Sequence, residues 1–155
     1  MDSYQLDPTD IKILNLLQKD GLMTYQQLSE KLHKARNPIA RRVSRLQKLG
    51  YIKKTVALVD VEKVKSVFTA FPWIQLNNHA DETLNLFQQE MLLHPEVMEC
   101  YHVTGQYDFI IKIVLPDMGS YNEFIRKKIG ALPYVGNIQS FLVLAETKRE
   151  TAYPL

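Results

Sequence analysis

Residues 31–54 read KLHKARNPIARRVSRLQKLGYIKK, and this stretch decides how the rest of the chain is read. It holds nine Lys and Arg (Lys31, Lys34, Arg36, Arg41, Arg42, Arg45, Lys48, Lys53 and Lys54) and neither Asp nor Glu. Ile39, Val43, Leu46 and Leu49 recur at helical spacing, so at about 100° per residue they form one apolar stripe. Asn37, Arg41, Ser44, Arg45 and Lys48 fall on the opposite side. Ordinary solvated helix faces mix charge signs. A face that is basic and free of acid suits a polyanion, so the stretch points to nucleic acid; within a helix-turn-helix that partner is double-stranded DNA. Gly50 is placed to end the helix after Leu49.

Two helices precede it. Leu6-Asp7-Pro8-Thr9-Asp10 is a helix start, with Asp7 as cap, Pro8 at the first helical position and Asp10 at the positive end of the dipole. Ile11, Ile13, Leu14, Leu16 and Leu17 supply its apolar stripe until Asp20-Gly21. Thr24 and Gln27 have the spacing of a capping box, and Leu28 and Leu32 then face inward together as far as His33-Lys34. Asn37-Pro38 offers a further cap and first-turn proline for the basic helix. Three helices with a tight turn between the last two make a helix-turn-helix, whose second helix of the pair lies in the major groove. On that reading Arg36, Asn37, Ala40, Arg41 and Ser44 lie near bases, while Lys34, Arg45 and Lys48 meet phosphates. Arg42 sits close to the apolar stripe and either pairs with Asp10 or Glu30 or touches DNA.

The chain has 155 residues and is 46% apolar, room for one ordinary domain or two small ones. Its net charge of +2 conceals an asymmetry: residues 1–65 carry 13 basic and 7 acidic groups, residues 66–155 only 6 basic against 10 acidic. That division suggests two folding units with two tasks. No apolar run approaches the ~20 residues that span a bilayer, and the polar N-terminus MDSYQLDPTD is no cleavable signal. Cys100 has no cysteine to pair with, and the four histidines show no metal spacing. A cytoplasmic protein follows, without a membrane role. Cys100 and His102 share a strand face, but no third group orients them, so Cys100 reads as a buried structural cysteine. With no phosphate loop, metal cluster or carboxylate pair, the sequence names no catalytic residue, no metal and no cofactor, and reads as a non-enzyme.

After the basic helix the pattern changes. Residues 51–59, around TVALVD, alternate and are β-branched, which predicts a strand, and 60–66 read as a charged linker. Strands are then expected over 67–76, 96–104, 107–115 and 135–146, with helices over 82–94 and 118–129. The order β-α-β-β-α-β fits a ferredoxin-like α+β sandwich. Gly105-Gln106 reads as the turn of a hairpin, with Asp108 hydrogen-bonded to it. Phe68, Phe71, Trp73 and Phe109 belong to a core or an interface.

Taken in order, LDPTDIKILNLLQKDG, LSEKL, RRVSRLQKLGYI, TVALVD, HPEVMECYHVTGQYD, VLPDMGSYNEFI and LPYVGNIQSFLVL resemble the Lrp/AsnC, or feast/famine, family of transcription regulators over nearly the whole chain. The resemblance implies a winged-type helix-turn-helix domain (residues 1–52), a linker strand (53–66) and a ferredoxin-like effector and oligomerisation domain (67–155). It implies a homodimer that assembles further, into octamer-type rings, and a small amino-acid effector bound between dimers near Thr104, Gly105, Tyr107 and Asp108. Gly105 would let the backbone approach that ligand, and Asp108 would accept from its amino group or position the loop that does. The chain departs from the family pattern at Ala35, where a capping Ser is usual, at Lys65, where a linker Gly is usual, and at Ser140, which replaces a Thr. Two other readings stand beside this one: a DNA-organising protein with no effector, and an amino-acid-sensing module that regulates an enzyme.

Overall fold

The computed structural model describes residues 4–155. The chain divides into two compact units: the residues up to Leu58 together with Thr147–Leu155, and Val59–Glu146. The second boundary differs from the expected 67–155 domain, because the last nine residues cluster with the N-terminal helices. Gln18 makes the link, donating from Nε2 to the Tyr153 carbonyl at 2.9 Å and accepting from the Tyr153 N–H at 2.7 Å.

The first unit is built from α1 (Pro8–Leu17), α2 (Tyr25–Leu32) and α3 (Arg36–Lys48). The caps expected for α1 and α2 are present. Asp7 accepts from the Thr9 and Asp10 amides, and Asp10 returns a bond to the Asp7 amide, closing a capping box. Thr24 and Gln27 do the same for α2. Ile13, Leu28, Ile39, Val43 and Leu46 close into a small core.

Three local expectations are corrected. The N-cap of α3 is Ala35, without a side-chain bond, so Asn37 does not cap and Pro38 occupies the third helical position. Proline is tolerated there because the first N–H groups of a helix have no intrahelical acceptor. Leu49 is 50% exposed rather than inward, since it is the C-cap where the helix ends. Gly50 follows at φ +80°, and the Gly50 and Tyr51 amides bond back to Gln47 and Leu46, a Schellman ending. Residues 51–59 form no strand: the segment has no ladder partner within the described chain, and Val56, Leu58 and Val59 are exposed. A strand exists only where a neighbour completes its hydrogen bonds.

The second unit opens with a single 3-10 turn, Val61–Lys63, and contains β1 (Phe68–Leu76), α4 (Asp81–Leu92), β2 (Val97–His102), β3 (Phe109–Leu115), α5 (Met118–Phe124) and β4 (Val135–Leu142). A π-helical turn, Ile125–Ile129, prolongs α5. The sheet order is β2-β3-β1-β4 with every neighbouring pair antiparallel, the ferredoxin-like arrangement expected. Period-two alternation sends Ala70, Ile74 and Leu76 of β1 and Phe109, Ile111 and Ile113 of β3 to one face, where Phe87, Met91, Tyr121, Phe124 and Ile129 cover them. Pro72 lies inside this central strand, and the pairing to β3 lapses at Phe71 and Pro72 while the pairing to β4 runs on. Phe71, Trp73 and Phe141 lie on the opposite face, with Trp73 4.9 Å from Phe141 between ring centroids. Cys100, expected to be buried, is exposed on the edge strand β2. Partial burial still pushes its thiol above the ordinary value.

Candidate nucleic-acid interface and effector turn

The geometry of α3 follows from its two faces. Ile39, Val43 and Leu46 are buried against α1 and α2, so the residues between them must point outward. Arg36, Asn37, Arg41, Ser44, Arg45 and Lys48 are exposed and Ala40 is half-buried. Ala40, Arg41, Ser44, Arg45 and Lys48 line one shallow concavity, joined by Tyr25 from the start of α2. Tyr25 was not foreseen from the sequence, because only the packing of α2 beside α3 puts it there. Lys34 lies in the turn, where His33 adopts φ +51° and Ser29 accepts from the Lys34 amide and donates to its carbonyl. The turn is therefore pinned, and Lys34, Arg36 and Asn37 cluster at the N-terminal end of the helix.

Arg42 is drawn inward. It donates to Asp7 Oδ2 at 2.5 Å and to Asp10 Oδ1 at 2.8 Å. Of its two expected partners, Asp10 is found and Glu30 is replaced by Asp7, and both bonds come from Nη1. Burial works against ionisation of Asp10, but hydrogen bonds from Tyr4 and Arg42 outweigh it and hold the carboxyl below the usual range. The Arg42 hydrogen bond, with those from the Asp10 and Thr9 amides, lowers Asp7 likewise. Arg45, expected on phosphate, has an internal neighbour too, with Nη2 3.8 Å from Asp10 Oδ1. That is beyond hydrogen-bond length and leaves its donors available.

The bend between β2 and β3 carries the four effector candidates. Thr104 and Gly105 are exposed at its tip, and Gly105 holds φ +122°, which a side chain would strain. Asp108 accepts from the Leu76 N–H with Oδ2 at 2.8 Å, and its Oδ1 lies 3.2 Å from His79 Nε2. Its own amide donates to the Ile74 carbonyl at 2.9 Å. Tyr107 instead bonds to Gln139 and sets its ring edge-on to Trp73 at 5.5 Å. The two side chains therefore part, Asp108 to the end of β1 and Tyr107 to Trp73 and Gln139. His79 and Gln139 were not foreseen: one is 29 positions from its partner in sequence, the other is set by the β1–β4 register. Ser140, one of the departures from the family pattern, accepts from the Tyr121 hydroxyl at 2.5 Å.

Among the described residues no group of three or more His, Cys, Asp and Glu could hold a metal ion, and no helix is long and apolar enough to cross a membrane.

Comparison with known proteins places these features. Residues 69–153 match the Lrp/AsnC ligand binding domain, and residues 6–53 match a winged helix-turn-helix DNA-binding domain. The chain is 30% identical to the Bkd operon transcriptional regulator of Pseudomonas aeruginosa over 97% of its own length and 99% of the relative's. It is 33% identical to the transcriptional regulator AzlB of Bacillus subtilis, covering 97% and 96%. Among solved structures it resembles a transcriptional regulator of Neisseria meningitidis in complex with L-Met, with TM-score 0.90 and 31% identity over 97% of each chain. The chain belongs to the Lrp/AsnC family and is a DNA-binding transcriptional regulator of that type.

Proposed function

We propose that this regulator reads DNA through the outward face of α3 and adjusts its binding to a small amino acid. The observation that carries the DNA assignment is the segregation within α3: an apolar side buried in the core, and an exposed side holding Arg36, Arg41, Arg45 and Lys48 with no acid among them. Lys34, Arg45 and Lys48 supply sequence-independent attraction to phosphates. Arg36, Asn37, Ala40, Arg41 and Ser44 read base edges, and Arg41 has the fork geometry for a guanine.

The protein acts as a homodimer or a larger ring. The Phe71, Trp73 and Phe141 face of the sheet is the surface through which two copies meet, and paired helices then address half-sites about one turn of DNA apart. The effector sits between dimers beside Thr104, Gly105, Tyr107 and Asp108. The Neisseria relative's complex with L-Met supports an amino acid as the ligand class. Such a ligand shifts DNA binding only if it favours one arrangement of the assembly over another. The setting is cytoplasmic, and the role is regulatory rather than enzymatic.

A second reading keeps the DNA role and drops the effector. The observation favouring it is that both Asp108 carboxylate oxygens already have partners inside the chain. Fluorescence anisotropy on labelled DNA from upstream of the protein's own gene, against scrambled DNA, tests both. Sequence-preferring, salt-steep binding that shifts with a pool of the twenty amino acids supports the first reading. Binding that ignores the pool supports the second, and no preference for DNA overturns both.

A further inference from the structure

Tyr4, ahead of α1, is built into the basic side of the first unit. The Tyr4 hydroxyl donates to Asp10 Oδ2 at 2.5 Å. The Tyr4 carbonyl accepts from the Tyr51 hydroxyl at 3.0 Å, and the two rings meet edge-on with centroids 6.3 Å apart. Tyr4 is thus fixed at both its backbone and its phenol. The Arg45 guanidinium lies over the ring so held, with Cζ 4.2 Å from the ring centroid.

Arg45 and Arg42 differ here in a way their shared residue type hides. Arg42 makes two close carboxylate bonds from Nη1 and keeps only 28% of its side chain exposed. Arg45 keeps only a 3.8 Å approach to Asp10, and 44% of its side chain is exposed. A guanidinium lying on an aromatic face is held through that face while its N–H donors stay at the rim. A free arginine must be immobilised when it grips a phosphate, which subtracts from affinity, whereas one already held on a ring loses less.

We propose that Tyr4 is a positioning residue for DNA binding: its ring holds the Arg45 guanidinium on the exposed flank of α3 with N–H groups directed to a backbone phosphate. This rests on α3 being the DNA-contacting helix. Tyr4 reaches DNA only through Arg45, so the two residues form one functional unit.

The test uses the full chain and a labelled random-sequence duplex, because a phosphate contact is independent of sequence. Tyr4→Phe keeps the aromatic face and loses the hydroxyl; Tyr4→Leu loses both but still fills the space beside Tyr51. Each is measured at several salt concentrations, alone and with Arg45→Ala. The salt slope should fall by about one in Arg45→Ala. Tyr4→Leu should weaken binding about threefold to fivefold and move the slope the same way, while Tyr4→Phe stays within about twofold of wild type. In the Arg45→Ala background Tyr4→Leu should add nothing, the signature of coupled residues. Equal losses in Phe and Leu variants, a Leu variant at wild-type affinity, or the same loss with Arg45 absent would each overturn the proposal. A wild-type chain with no salt-steep duplex binding overturns the DNA reading itself, and is told apart because Arg45→Ala then changes nothing either.

Discussion

Arg42 Nη1 donates to Asp10 Oδ1 at 2.8 Å, joining α3 to the first turn of α1 across 32 positions of sequence. Asp10 has no solvent exposure and is also bonded by the Tyr4 hydroxyl and the Asp7 amide, so three donors, from Tyr4, Asp7 and α3, converge on one carboxylate. Beside a core of five buried apolar residues, this junction adds a polar tie between α1 and α3.

Replacing Asp10 with Ala should therefore destabilise the first unit. Removing one partner of a buried pair costs about 3–5 kcal/mol, and because Arg42 keeps 28% of its side chain in solvent the expected loss is about 2 kcal/mol. Urea unfolding followed by helical circular dichroism measures it. A shift below about 0.5 kcal/mol would mean the junction is dispensable.

The same carboxylates set an acid limit. Asp7 and Asp10 ionise below the ordinary carboxylate value of 3.8 in the folded chain. The unfolded chain then binds more protons around that value, so their contribution is complete above it and is lost as pH falls through the lower folded values. Helical signal from the first unit should hold at neutral pH and decline below about pH 4. In Arg42→Ala the decline should begin at higher pH, because the leading cause of the Asp7 depression is gone.

Arg41 and Lys48 line the same concavity and should fail differently. Arg41→Ala should relax sequence preference and cost about 1–3 kcal/mol on the preferred site, with little change on scrambled DNA. Lys48→Ala should weaken all duplexes alike and reduce the salt slope by about one. Competition of specific against scrambled DNA separates the two, and unchanged discrimination in Arg41→Ala would remove that residue from base reading.

Asp108→Ala should act on the second unit in two ways. The Leu76 N–H loses its acceptor, which costs about 1–3 kcal/mol for a buried donor, and any amino-acid response is lost with the bend. Asp108→Asn keeps an acceptor oxygen, so it should recover stability while its response to the amino-acid pool stays impaired. Thermal unfolding paired with anisotropy reads both, and an Asn variant with full response would limit Asp108 to holding Leu76.

Much of this architecture was legible because the signals are local. Asp7 with Asp10 and Thr24 with Gln27 cap helices through groups three residues apart, so they act the same way in any surroundings. The stripe of Ile39, Val43 and Leu46 identifies the buried side of α3, and by subtraction its basic side. Strand formers in alternating runs gave the β-α-β-β-α-β order, and the resemblance named the family.

The elements and their faces follow from spacing along the chain and so could be read without the fold. Tertiary structure decided the partners. Arg42 could be paired with Asp7 and Asp10 rather than Glu30 only once α1 was packed beside α3. Asp108 met Leu76 and His79 only when β3 lay beside β1. The 51–59 segment shows the same principle from the other side. It has the composition of a strand but remains unpaired, because a strand is completed by the hydrogen bonds of a neighbour and not by its own side chains.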